Sequence, residues 1–168
     1  MVIILNGVGR SGKGTVYNFM NEIIPGIQYS WIDFARNMMR ESGIPVDKKT
    51  PEIRKCLADV GMALEGLDIP YRDCINIISN VSRGCINDIH NVYLDCREPR
   101  NIDRIKEYCK TANIKCVTIY VKRNNIKCPD NFADKAAEQT DYFYDYTIYN
   151  NGTLEELKRK CIDICREI

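Results

Sequence analysis

The most constraining feature is the segment Gly7-Val-Gly-Arg-Ser-Gly-Lys-Gly-Thr15. An apolar run, Val2-Ile-Ile-Leu5, leads into it, and a helical pattern to about Ile24 leads out, stopped by Pro25-Gly26. A strand that turns through glycines into a helix can aim successive backbone N–H groups at an anion. The helix N-terminus adds a partial positive charge. Lys13 adds a full one that reaches β- and γ-phosphates. Gly7, Gly9, Arg10, Ser11, Gly12, Lys13, Gly14 and Thr15 are therefore the candidate phosphate-binding set. The plainer reading is a glycine-rich turn with a surface lysine. In the usual pattern Ser or Thr follows the lysine as a magnesium ligand. Here Gly14 holds that place and Thr15 comes next.

The rest of the chain alternates between two periods. Residues 27–32, 91–95, 114–121 and 146–149 read as further strands. Helices are expected over 33–42, over 51–64 behind the cap Thr50 and Pro51, over 70–82, and over 99–113 opened by Pro99. A last helix follows Thr153, which forms a capping box with Glu156. Strands alternating with helices predict a parallel sheet covered on both faces. With the glycine-rich loop after the first strand, the expected fold resembles the P-loop NTPase fold, a three-layer α/β/α sandwich on a five-stranded parallel sheet. At about 150 residues per domain, 168 residues make one domain. The core is expected over 1–32 and 85–168. The strandless stretch 33–84 is expected to be an inserted helical lobe. Residues 123–145 are polar, aromatic and irregular. They read either as a mobile lid that excludes water or as a packed surface loop.

Composition removes several classes. Lys+Arg 24 against Asp+Glu 23 leaves +1, so no charge excess argues for nucleic acid or a membrane surface. The single His, at 90, excludes sites built from several histidines, and it reads as structural. Nine cysteines occur without a C-x-x-C, and Cys161 and Cys165 share one helix face. This suits free thiols in a reducing cytoplasm. The apolar start is too short for a signal peptide, and no run approaches a membrane span.

Arginines are the expected tools for phosphate. Arg97 falls just past the third strand, where open α/β sheets bind ligands. It reads as a contact to an acceptor phosphate or as an ion pair with Glu98, and Arg100 is a lesser candidate. Asp95 ends the strand. It reads as a carboxylate that holds magnesium through water or as a cap before Pro99. Asp33 and Arg36 start the helix after the second strand. Arg36 could hold an acceptor phosphate, while Asp33 reads as an N-cap, a sugar ligand or a base. Arg54, Lys48, Lys49 and Arg72 are lobe cations that could touch substrate or stay solvated. Lys122 and Arg123 follow the fourth strand. Trp31 and the tyrosines read as packing. Cys128 alone cannot build a zinc-bearing lid.

The Gly-Lys-Gly-Thr form resembles the nucleoside monophosphate kinase branch, adenylate kinases included. The whole loop, with a basic residue before Ser-Gly-Lys, resembles the phage-type deoxynucleoside monophosphate kinases. Tyr93-Leu-Asp-Cys-Arg97 is similar to that family's strand ending in Asp-x-Arg. Asp145 to Leu157 resembles its closing strand, turn and final helix. The likeness covers both ends and the core strands, and no motif of it falls over 40–90. Asp33-Phe-Ala-Arg36 resembles the Asp-x-x-Arg of monophosphate and small-metabolite kinases.

The resemblance implies an ATP-dependent phosphotransferase with Mg2+ held largely through water and phosphates. Thr15 would support the α-phosphate, with a direct magnesium contact as its other role. Arg123 would close over the transferring group, and Lys13 and Arg97 would complete the catalytic set. Acceptor contacts would come from Asp33, Arg36, Arg54 and Arg97. Asn150, Asn151 and Gly152 would pass near adenine, or form only a turn and cap. Expected partners are ATP and a small phosphorylated acceptor. The oligomeric state stays open, a homodimer included. The other readings are a P-loop kinase of another metabolite (dephospho-CoA, phosphomevalonate or sugar type) and a regulatory nucleotide-binding ATPase. The chain lacks the Asn-Lys-x-Asp and Asp-x-x-Gly of a GTPase.

Overall fold

The computed structural model describes residues 1–48, 50–84, 86, 89–124, 126 and 141–168. Five strands form one sheet: β1 (Val2–Asn6), β2 (Ile27–Ser30), β3 (Val92–Asp95), β4 (Cys116–Lys122) and β5 (Tyr146–Tyr149). Their order is β2-β3-β1-β4-β5, with every pairing parallel. Six described helices complete the chain: α1 (Lys13–Asn21), α2 (Asp33–Glu41), α3 (Pro51–Gly66), α4 (Ile69–Ser82), α5 (Pro99–Thr111) and α6 (Leu154–Glu167). This is the expected α/β sandwich.

Both faces of the sheet are covered, which is why β1 is apolar on successive residues rather than on alternate ones. Val2 and Ile4 join a core with Val92, Leu94, Ile78 and Ile102. Ile3 and Leu5 join the opposite core with Val16, Met20, Ile119 and Leu157. α1 and α6 cover the second face; α4 and α5 cover the first. The stretch 33–84 thus divides. α4 lays Cys74, Ile78 and Val81 into the sheet core, while α3 packs between α2 and α4.

The local signals act as the sequence suggests. Thr50 Oγ1 accepts from Ile53 N at 3.3 Å, with Pro51 at the first helical position. Thr153 and Glu156 form both halves of the capping box. Two ends differ from expectation. β2 stops at Ser30 because the Asp33 carboxylate accepts from Ser30 N at 2.6 Å and turns the chain into α2. α1 stops at Asn21, whose side-chain oxygen accepts from Gly26 N at 2.8 Å. The seven described cysteines are free thiols, and Cys161 and Cys165 face the second core. Among the described residues no helix is long and apolar enough to cross a membrane.

Candidate active site

The loop after β1 curls through three left-handed residues: Gly7 (φ 141°), Arg10 (φ 67°) and Gly12 (φ 104°). Lys13 is only 8% exposed, so its charge needs partners. Its Nζ donates to Gly7 O at 2.6 Å and Val8 O at 3.2 Å, and lies 3.9 Å from Asp95 Oδ1. The glycines do separate jobs. A Cβ on Gly7 would meet Val121 O at 2.3 Å, and one on Gly12 would meet Asn150 Nδ2 at 2.3 Å. A Cβ on Gly14 would meet nothing within 4 Å. The fold therefore requires glycine at 7 and 12. At 14 it leaves open space over the first turn of α1, where an anion can approach the backbone.

Parallel register places Leu5, Asp95 and Ser30 level with one another. The loop after β1 and the residues after β3 therefore leave the sheet side by side. Asn6 joins them and was not singled out by sequence. Fully buried, it accepts from Gly7 N at 2.5 Å and donates to Arg97 O at 3.0 Å and to Tyr144 OH at 2.6 Å. Its one sequence signal is a polar residue closing an apolar strand. Tyr144 stacks on Tyr120, and Tyr142 donates to Asp103 Oδ1 at 2.6 Å. The described C-terminal end of the lid-like segment is thus anchored, except for exposed Phe143. Residues 127–140, with Cys128, Asn131, Asp134, Lys135 and Glu138, lie outside the described residues, as does Lys49.

Beside the loop opens a cavity of about 720 Å³. Gly9 and Arg10 border it from the loop, Arg36 from α2, Arg54 from α3, and Asp95 and Arg97 from the end of β3. Four guanidinium-bearing residues from four chain segments thus face one space. Asp33 does not line it. One oxygen accepts from Ser30 N and the other pairs with Arg36 Nη1, so Asp33 caps the turn and orients Arg36. Burial and the neighbouring Arg40 pull the Arg36 guanidinium below its ordinary range. Trp31 forms part of the wall and donates from Nε1 to Glu65 Oε2 at 2.6 Å. Arg72 turns away, donating to Leu67 O at 2.6 Å. Lys48, Arg100 and Arg123 are exposed and off the cavity wall, and His90 is exposed.

Of the residues expected near adenine, Asn150 alone has a described contact with the loop. Asn150 Nδ2 donates to Ser11 O at 2.8 Å, and Asn151 Oδ1 accepts from Asn124 N at 2.7 Å. Gly152 lies against the Glu156 side chain. Among the described residues, no three of His, Cys, Asp and Glu gather to hold a metal. Asp95 Oδ1 is buried and without a hydrogen bond. One carboxylate oxygen beside a phosphate loop fits Mg2+, which keeps its waters and takes few protein ligands. Two hydroxyls lie in that loop region: half-buried Thr15 on the first turn of α1, and Ser11, whose buried Oγ has no hydrogen bond.

No protein-family model matches the chain, and no curated protein matches it in sequence. Solved structures do. A shikimate kinase from Aquifex aeolicus vf5 is 12% identical with a TM-score of 0.53, over 99% of this chain and 97% of that one. A sugar kinase from Janibacter sp. HTCC2649 is 12% identical with a TM-score of 0.51, over 96% and 92%. An APS kinase from Mycobacterium tuberculosis is 14% identical with a TM-score of 0.50, over 100% and 97%. At such identity the likeness establishes the fold alone, which this chain shares with these kinases.

Proposed function

We propose that the chain transfers a phosphoryl group from ATP to a small phosphorylated acceptor, a nucleoside or deoxynucleoside monophosphate. The observation that carries this reading is the cavity beside the phosphate loop, onto which Arg10, Arg36, Arg54 and Arg97 all open. A neutral polyol acceptor needs less positive charge. A monophosphate brings two negative charges and needs no base, because its attacking oxygen is already an anion. Asp33, the base candidate of the sequence, is engaged by Ser30 and Arg36 instead.

In this reading the loop N–H groups and Lys13 hold the donor phosphates. Arg97, fixed through its carbonyl by Asn6, holds the acceptor phosphate with Arg36 and Arg54. The arginines offset the repulsion between the two anions and stabilise charge spreading over the transferred oxygens. Arg123, at the start of the lid-like segment, would fold over the same group. The backbone of 150–152 would border the adenine. Mg2+ bound near Asp95 and Thr15 would neutralise donor phosphate charge. The free thiols suit a reducing compartment such as the cytoplasm.

The test is ADP release from Mg-ATP with each ribo- and deoxynucleoside monophosphate in turn, beside Lys13→Ala. One or more monophosphates should raise turnover far above the blank, and Lys13→Ala should abolish it. Turnover equal to the blank with every monophosphate overturns the assignment. A second reading, an alcohol acceptor of the sugar type, draws on the names of the shikimate and sugar kinases. Asp95, whose Oδ1 has no hydrogen bond, would then be the base. It predicts turnover with a polyol, abolished by Asp95→Asn and retained in Asp33→Asn.

A further inference from the structure

We infer that the acceptor cavity selects a nucleobase that carries an exocyclic amino group, read by Glu65 and Glu98. The inference rests on the monophosphate reading above and adds which monophosphates are used. The cavity runs along α3. Arg54 and Glu65 both line it, eleven residues apart on one helix, which is about 16 Å along the axis. Between them the lining side is apolar, with Leu57, Ala58 and Met62. Gly61 shapes this wall, since a Cβ there would lie 2.4 Å from Ile32 Cδ1. One wall thus offers a cation, then apolar surface, then a carboxylate. A monophosphate offers an anion, then a sugar and flat ring, then a polar edge.

The acidic end is held in place. Glu65 Oε2 accepts from Trp31 Nε1 at 2.6 Å, and Oε1 accepts from Asn101 Nδ2 at 2.7 Å. Each oxygen keeps further acceptor capacity. Glu98 lines the same cavity at the start of α5. Burial and the charge of Glu65 hold its carboxyl above the ordinary carboxylate range. Trp31 and Asn101 hold Glu65, and Asn101 also bonds Glu98, so the two acids are fixed as acceptors with lone pairs to spare for a ligand donor. Adenine, cytosine and guanine supply an amino group. Uracil and thymine present a single ring N–H flanked by two carbonyl oxygens, which carboxylate lone pairs repel.

The experiment compares kcat/KM across the adenine, cytosine, guanine, uracil and thymine monophosphates, for the wild type, Glu98→Gln and Glu65→Gln. At least one amino-bearing base should exceed uracil and thymine by about tenfold or more, the low end for a lost charged hydrogen bond. An amide can donate to a carbonyl, so the Gln variants should narrow that gap about tenfold while the KM for ATP stays unmoved. Equal use of all bases by the wild type overturns the inference. So does a base preference that both Gln variants preserve. If no monophosphate is turned over, the reading beneath it fails too, and the two failures are told apart by the wild-type panel alone.

Discussion

Gly14 and Gly7 separate a glycine the fold can spare from one it needs. Gly14 is the second residue of α1, it is exposed, and a Cβ there meets nothing within 4 Å. Gly14→Ala should therefore not harm the fold. Replacing a helical glycine by alanine gains about 0.5–1 kcal/mol. For a domain of this size that raises Tm by roughly 1–4 °C. The usual phosphate loop carries Ser or Thr at this place, so a Cβ leaves room for a bound phosphate, and ATP binding should stay within about threefold of wild type. Gly7→Ala is the contrast. The backbone conformation at φ 141° costs about 1–3 kcal/mol for alanine. The 2.3 Å contact with Val121 O cannot relax, because β4 is held between β1 and β5. Overpacking of that kind adds about 1–3 kcal/mol. The sum of about 2–6 kcal/mol lowers Tm by roughly 4–24 °C. Thermal melts and ATP titration calorimetry on both variants give the answer. A Gly14→Ala protein that melts below wild type or loses ATP binding, or a Gly7→Ala protein as stable as wild type, would refute the reasoning.

Three further outcomes follow from particular contacts. Asn6→Ala leaves Gly7 N and Arg97 O without their partner, so it should cost about 2–5 kcal/mol in denaturant unfolding; Tyr144→Phe, which removes one hydroxyl, should cost about 1 kcal/mol. Thr153→Ala breaks the capping box of α6 and should lower Tm by roughly 2–4 °C, with ATP binding unchanged. Burial raises the Glu98 carboxyl above 4.5, so the native state holds a proton that the unfolded chain has lost. Stability contributed this way is complete below pH 4.5 and is lost as pH rises through the raised native value. Melts of Glu98→Gln against wild type should show the variant gaining relative stability over that rise, and parallel curves would contradict it.

The sheet was legible because its strands are buried on both faces and separated by helices with written ends. Val2 to Leu5, Thr50-Pro51 and Thr153 with Glu156 each carry their own local physics, and each forms the element it signals. Strand and helix ends were less legible. Ser30 closes β2 only because Asp33 reaches back to it, and the same carboxylate pairs with Arg36. α4 reads as part of a lobe, but its apolar side meets the sheet, and no period within α4 says which surface will cover it.

By itself the sequence determined a glycine-rich strand-to-helix loop on a parallel sheet. Loop geometry depends on glycines and neighbours a few residues apart, and those are written in order. Which arginines share a space was decided by tertiary structure. Arg10, Arg36, Arg54 and Arg97 span 88 positions and meet only because β1, β2 and β3 end level and α3 packs beside them. The same packing brings Glu65 to Trp31 and Asn101, and turns Asn6 from the end of a strand into the link between loop, arginine and Tyr144. Contacts across such separations depend on where whole elements settle, which no local pattern encodes.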